Sequence, residues 1–362
     1  MNSLALMILV TGPSGAIPGP YWLFTVLHWV TLTLHFVAMN FLFGGIIIRL
    51  LAPSSPDRRF LFPEKLKAFP TAMAATITLG VAPLLFLQVI YGRYFYAASI
   101  ISAWNWFLIV PVLIAVYYLL YLASLGRKLT DGHRVGLLAL AAAGMIYVSF
   151  TFTMISDLAA KPYLWTAVFA SSPAGWHLNP CWPETIFRWA HSITGGVAVA
   201  GIIIQLYAVL HRQVRLNPEL IRFGGRIYLI ALIKATVFAI IYLLTLDGDV
   251  LRRFLSSPGL HTLAAGIAVN GVIAFLIFRS TRSAKPQGPI LSSAALTLLG
   301  VFLMVISRHY LRLVHLAKDL DPATLVTRSQ WGPFFLFMVT FLIGISVTVW
   351  MIKRYFASPR PS

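Results

Sequence analysis

The sequence predicts an all-α polytopic membrane protein, a single-domain bundle of about nine transmembrane helices, and three observations carry that prediction. Hydrophobic residues make up 59% of the chain and charged residues only 10%, against roughly 25% charged in an average soluble globule. The mean hydropathy is +0.83. Apolar runs of roughly 20 residues, the length that crosses hydrocarbon as a helix, fall at about 21–48, 69–92, 104–126, 134–158, 186–211, 226–246, 258–279, 290–314 and 332–354. They fill the chain and leave no room for a soluble domain.

The net charge of +18 is distributed in a way that argues against nucleic acid as a partner. The connections after the first, third, fifth and seventh spans, with the C-terminal tail, hold 18 of the 28 Lys and Arg against four acids, Asp57, Glu64, Asp131 and Glu219. The other connections hold nine against six, and Lys234 lies inside a span. Such alternation follows the positive-inside rule and predicts an outer N-terminus and a cytoplasmic C-terminus. Residues 1–20 carry no basic n-region and contain Gly12, Pro13, Gly15, Pro18, Gly19 and Pro20, so they read as a short outer segment and not as a cleaved signal. Cys181 is the single cysteine; an intrachain disulfide, a Cys-rich cluster and covalent attachment of a c-type haem are all excluded.

Taken in order, the first span carries His28 and His35, seven residues apart and therefore on one face. The second contains Pro83, expected to kink it, and ends in Gln88 and Arg93. Those two side chains could bond a quinone oxygen or a propionate, or belong to an interfacial aromatic belt with a snorkelling arginine. Trp104, Trp106, Tyr117, Tyr118 and Tyr121 of the third span read as belt and packing. The connection from Asp157 to Glu184 is the longest on the outer side and holds His177, several tryptophans and Pro162, Pro173, Pro180 and Pro183. It suits a lid, a docking surface for an outer partner, or a plain interfacial loop.

The fifth span opens Phe187-Arg188-Trp189-Ala190-His191-Ser192-Ile193-Thr194-Gly195-Gly196. A histidine inside hydrocarbon is costly unless something binds it. Haem would satisfy this pattern, because imidazole ligates iron and glycines let a macrocycle lie against the backbone. The alternative is a histidine bonded to a neighbouring helix, with the glycines serving helix packing. Lys234 of the sixth span is explained by snorkelling. His261 falls at the outer boundary of the seventh, and the eighth ends with Arg308, His309, Arg312 and His315. Arginines beside a histidine suit haem propionates. His28, His191, His261, His309 and His315 all fall toward the outer side, whereas His133 and His211 fall at cytoplasmic loop ends. No Asp or Glu lies well inside a span, which disfavours a transmembrane proton path.

The order of these features resembles subunit I of cytochrome bd quinol oxidases over most of the chain. Leu34-His35-Phe36-Val37 is similar to the family's first-helix ligand region, and Leu79-Gly80-Val81-Ala82 with Phe86 and Gln88 to its second helix. Phe187–Gly196 resembles the fifth helix, where a histidine is an axial ligand of the low-spin haem b, so the resemblance gives His191 that role. Val305–Leu313 is similar to the end of the eighth helix, where His309 and Arg312 have the spacing of the family's haem-ligating glutamate and its arginine. The chain departs from the family in several places. There is no glutamate between Trp104 and Gly126, the Gly-Arg-Gln-Pro-Trp sequence is missing, the loop between the sixth and seventh spans, Asp247 to Pro258, is only about a dozen residues, and no methionine ligand is evident on the seventh span.

The combined expectation is a b-type cytochrome subunit of a respiratory complex in a bacterial or archaeal plasma membrane, relaying electrons between the quinone pool and an outer haem protein. It would hold two or three b haems. The iron candidates are His191, His309, His35, His28 and His261, with His315 beside them and Arg188, Arg308 and Arg312 on propionates. Gln88 and Arg93 are the quinone candidates, and the expected partners are a further membrane subunit and an outer c-type or multihaem cytochrome. Two alternatives stand beside this one: a divergent terminal oxidase reducing oxygen, and a cofactor-free transporter or assembly subunit.

Overall fold

In hydrocarbon every backbone N–H and C=O must find its partner inside the segment, so apolar runs of this length form helices. The computed structural model describes residues 16–51, 68–126, 128–177, 181–210 and 216–357. Its long helices are α1 (Tyr21–Leu51), α2 (Ala68–Ile101), α4 (Ile109–Leu125), α5 (Asp131–Ala159), α7 (Glu184–Leu210), α8 (Pro218–Thr245), α10 (Pro258–Ser280), α11 (Gln287–His315) and α12 (Trp331–Ala357). Short helices α3 (Ala103–Phe107), α6 (Trp165–Ser171) and α9 (Gly248–Leu255) lie in or beside the connections. Among the described residues no strand is present, and eight spans are long and apolar enough to cross a membrane, α3 and α4 counting as one, while the apolar part of α12 is the shorter stretch Trp331–Gly344. The chain is a multi-pass, all-α membrane protein whose exposed apolar flanks, such as Ile233 and Ile240 of α8, suit a lipid surroundings.

Local chemistry sets the helix ends. Thr130 caps α5, Asn217 followed by Pro218 opens α8, and Ser257 followed by Pro258 opens α10, each side-chain oxygen accepting from an otherwise orphaned N–H. The cap at Asn217 places the start of α8 well before residue 226, so Arg222, Gly224, Gly225 and Arg226 are helical. The third span is broken at Leu108, where Pro111 supplies no N–H to the carbonyl of Phe107. The second span departs from helical backbone at Tyr91 (φ −123°, ψ 22°) and not at Pro83.

Contacts give the helix directions. Tyr21 meets Tyr91, His28 meets Pro83 and His35 meets Thr76, so α1 and α2 are antiparallel. Gly201 meets Gly224 and His191 meets Ala235, which makes α7 and α8 antiparallel. In contrast, Asn40 meets Gly196 and Gly44 meets Ala200, so α1 and α7 run parallel. The offset that separates Gly44 from Ala200 also separates His35 from His191; the two histidines therefore sit at one level of the bundle. The starts of α1 and α7 and the ends of α2, α5 and α11 share the end of the bundle marked by Tyr21.

Candidate functional site

Three histidines share one local geometry. The Nδ1 of His28 lies 3.0 Å from the carbonyl oxygen of Pro83, that of His35 3.0 Å from Thr76 O, and that of His191 2.9 Å from Ala235 O. A carbonyl oxygen only accepts, so each Nδ1 carries the proton and donates. Each Nε2 keeps its lone pair, and among the described residues none has a hydrogen-bond partner there. His28 and His35 reach the same neighbour, α2, as their seven-residue spacing requires, while His191 reaches α8.

The glycines beside them divide into two kinds. Gly196 and Gly201 serve packing, since a Cβ at Gly196 would lie 2.9 Å from Asn40 Oδ1 and one at Gly201 2.7 Å from the carbonyl of Gly224. Gly80 makes room for a histidine, because its Cβ would stand 2.9 Å from the His35 ring. Gly195, one turn beyond His191 on the same face, is different: a Cβ there would meet nothing within 4 Å. The hydroxyls of Ser192 and Thr194 are satisfied by carbonyls of their own helix.

At the Tyr21 end a charged layer crosses α5, α7 and α11. Asp157, buried near the end of α5, accepts from Arg188 at 2.8 Å and from the Thr185 hydroxyl at 2.6 Å. Lys161 pairs with Glu184 at 2.7 Å. Burial alone would lower the Lys161 pKa, but the bond to Glu184 outweighs it and the group is held above its ordinary value. Arg308 and Arg312, one turn apart on α11, each donate from Nη2 to Ser156 Oγ at 3.2 Å. Among the described residues neither has a carboxylate within ion-pair distance, and the Nε of Arg308 is buried without a partner. Their guanidinium carbons lie 6.0 Å from the Phe36 ring and 5.1 Å from the Tyr91 ring. Such cation–π contacts contribute about 0.5–2 kcal/mol each, less than the several kcal/mol that withdrawing an ion from water costs. A void of about 10 Å³, lined by Tyr91, Ser156 and Arg312 among others, lies beside Arg312.

His309 belongs to this layer but is held differently from the other three. Its Nε2 lies 3.4 Å from the Tyr21 hydroxyl and its Nδ1 3.3 Å from the Tyr91 hydroxyl, and the two hydroxyls are 3.2 Å apart. The three groups close a ring in which each can donate once and accept once, so both nitrogens of His309 are engaged. Trp29 packs edge-on against the imidazole at 5.2 Å.

The remaining candidates stand apart from these contacts. His261 is exposed in the first turn of α10, and His315, the last residue of α11, is half-buried and takes no part in these hydrogen bonds. Gln88 is half-buried on α2, and Arg93 lies 5.9 Å from the Tyr94 ring. His133 bonds the capping Thr130 at the other end of the bundle; His211 lies outside the described residues. Sequence reasoning missed Tyr21, Tyr91, Ser156 and Asp157. It treated Asp157 as the start of a connection, whereas α5 continues to Ala159 and buries it. It also set Arg188 beside Arg308 and Arg312, yet Arg188 is paired with Asp157 and donates to the carbonyl of Thr153 at 2.8 Å.

No model of a known protein family matches this chain, and comparison with curated proteins finds no match.

Proposed function

We propose that this chain is a membrane b-type cytochrome: the electron-transfer subunit of a respiratory complex in a bacterial or archaeal plasma membrane, passing electrons between the quinone pool and a haem protein on the outer side. The observation that carries the reading is the shared geometry of His28, His35 and His191. Iron-ligating histidines characteristically donate their second ring N–H to a carbonyl or carboxylate, which fixes the tautomer and aims the lone pair. A structural histidine that needed only a hydrogen bond would be as well served by either tautomer. The donor set also favours haem over a bare ion. Among the described residues no three His, Cys, Asp or Glu side chains converge as an ion would need, whereas haem brings its own ring nitrogens and needs one or two axial ligands.

In this reading haem supplies a one-electron ferric/ferrous couple. The chain's own residues do the rest: the carbonyls of Pro83, Thr76 and Ala235 hold three imidazoles in the ligating tautomer, Gly195 leaves the face beside His191 open, and the surrounding helices exclude water. The order of the sequence features and their resemblance to bd-type subunit I support the respiratory assignment. The short loop from Asp247 to Pro258 and the lack of a third-span glutamate favour electron relay over oxygen reduction.

The test is a pyridine haemochrome count on the purified full chain, together with dithionite-reduced spectra with and without carbon monoxide. Two or three b haems per chain are expected, with little response to carbon monoxide, and His191→Ala is expected to lose one haem. A preparation from haem-replete cells with no Soret band sinks the proposal.

A further inference from the structure

We infer that Arg308 and Arg312, held together by Ser156, form a two-charge anion site that takes both propionates of one haem, and that Arg188 is not part of it. This inference rests on the cytochrome reading above and goes beyond it by naming the recognition element for one edge of the macrocycle. The layer at the Tyr21 end holds Arg188, Arg308 and Arg312 against Asp157, while Lys161 and Glu184 cancel. Asp157 is committed to Arg188, with Thr185 fixing its second oxygen. Among the described residues of this layer, the two guanidinium charges of Arg308 and Arg312 are left without a carboxylate, the number that two carboxylates would balance.

The geometry of the pair fits that role. Arg308 and Arg312 lie on one face of α11, and their shared bond to a single hydroxyl brings both forks to one place. The unpartnered Nε of Arg308 leaves a further donor in the same layer. Guanidinium binds carboxylate in a bidentate manner, and a serine hydroxyl, already accepting from both arginines, can donate its own proton to an incoming oxygen. The Tyr21–His309–Tyr91 ring is neutral and internally satisfied, and Tyr91 lies under Arg312; it supports one arginine without supplying a counter-charge. Arg188, already neutralised by Asp157, adds no free charge to the pair.

The experiment compares haem b with its dimethyl ester, which has the same macrocycle and iron but no carboxylates. The full-length chain is produced in a haem-deficient host, purified in detergent and titrated with each, read by the Soret band. The wild type is expected to have one site that binds the diacid tenfold or more tightly than the diester. In Arg308→Gln/Arg312→Gln that preference disappears while diester binding stays at the wild-type level, which shows that the variant is folded. Asp157→Asn retains the preference. Equal binding of diacid and diester by the wild type overturns the inference and leaves the cytochrome reading intact; no binding of either by the wild type sinks that reading instead. Loss of a co-purifying anionic phospholipid from the double variant, with haem discrimination unchanged, also overturns the inference, by assigning the arginines to a lipid headgroup.

Discussion

Imidazole offers two nitrogens, and at His28, His35 and His191 a helix carbonyl has taken one of them. His309 shows the contrast, since the hydroxyls of Tyr21 and Tyr91 take both. This difference depends on which atoms lie opposite each ring and sorts residues that look alike in the sequence. The His35 ring also depends on what is missing opposite it, because it occupies the place where residue 80 would carry a Cβ. Gly80→Ala should therefore push the ring off the carbonyl of Thr76 while leaving α2 helical. Overpacking of this kind typically costs about 1–3 kcal/mol, so the variant should still fold. It is expected to reproduce the spectral change of His35→Ala, whether a lost haem or a shifted low-spin signal, while His191→Ala produces a different one. A Gly80→Ala protein with wild-type spectra and haem content would show that the ring position does not matter to iron.

At the scale of helices, the close seams set where the rings stand. Backbone meets backbone where Gly201 faces Gly224, and α1 approaches α7 just as closely at Gly44, where a Cβ would meet the Ala200 Cβ at 2.5 Å. A Cβ at Gly224 would lie 2.5 Å from the carbonyl oxygen of Gly201, and a carbonyl cannot rotate away as a side chain can. Gly224→Ala should thus part α7 from α8, lower the thermal midpoint in detergent, and loosen the His191 bond to Ala235 about three turns away. An unchanged midpoint would mean that the seam does not carry the packing. These seams also mark what could be read from the chain. The spans were legible because hydrocarbon demands long apolar runs, and the common face of His28 and His35 because seven residues is nearly two turns. Asp157 was not, because a carboxylate at the end of an apolar run looks like the start of a loop until Arg188 and Thr185 are placed beside it. Ser156 and Tyr91 look like ordinary helix residues, and their roles arise from α11, which lies far along the chain.

For the molecule as a whole, the proposal depends on which end faces out. In the sequence, the stretches that follow the first, third, fifth and seventh apolar runs, with the C-terminal tail, hold 18 of the 28 Lys and Arg, and positive charge is retained on the cytoplasmic side. The histidine and arginine layer would then open outward, toward an outer haem protein. The single native cysteine makes this simple to test. Cys181 is 4% exposed, and burial pushes its thiol up to about 12. Only the thiolate reacts with alkylating reagents, so near neutral pH the folded chain should give almost no background. Ala174, exposed in the connection between α5 and α7, and Ala284, exposed between α10 and α11, report on opposite ends. In intact cells a membrane-impermeant maleimide should label Ala174→Cys and spare Ala284→Cys until the membrane is opened. The reverse pattern would turn the layer of Arg308, His309 and Arg312 toward the cytoplasm. Haem binding could survive that result, but transfer to an outer partner could not, because the whole thickness of the bilayer would separate the two.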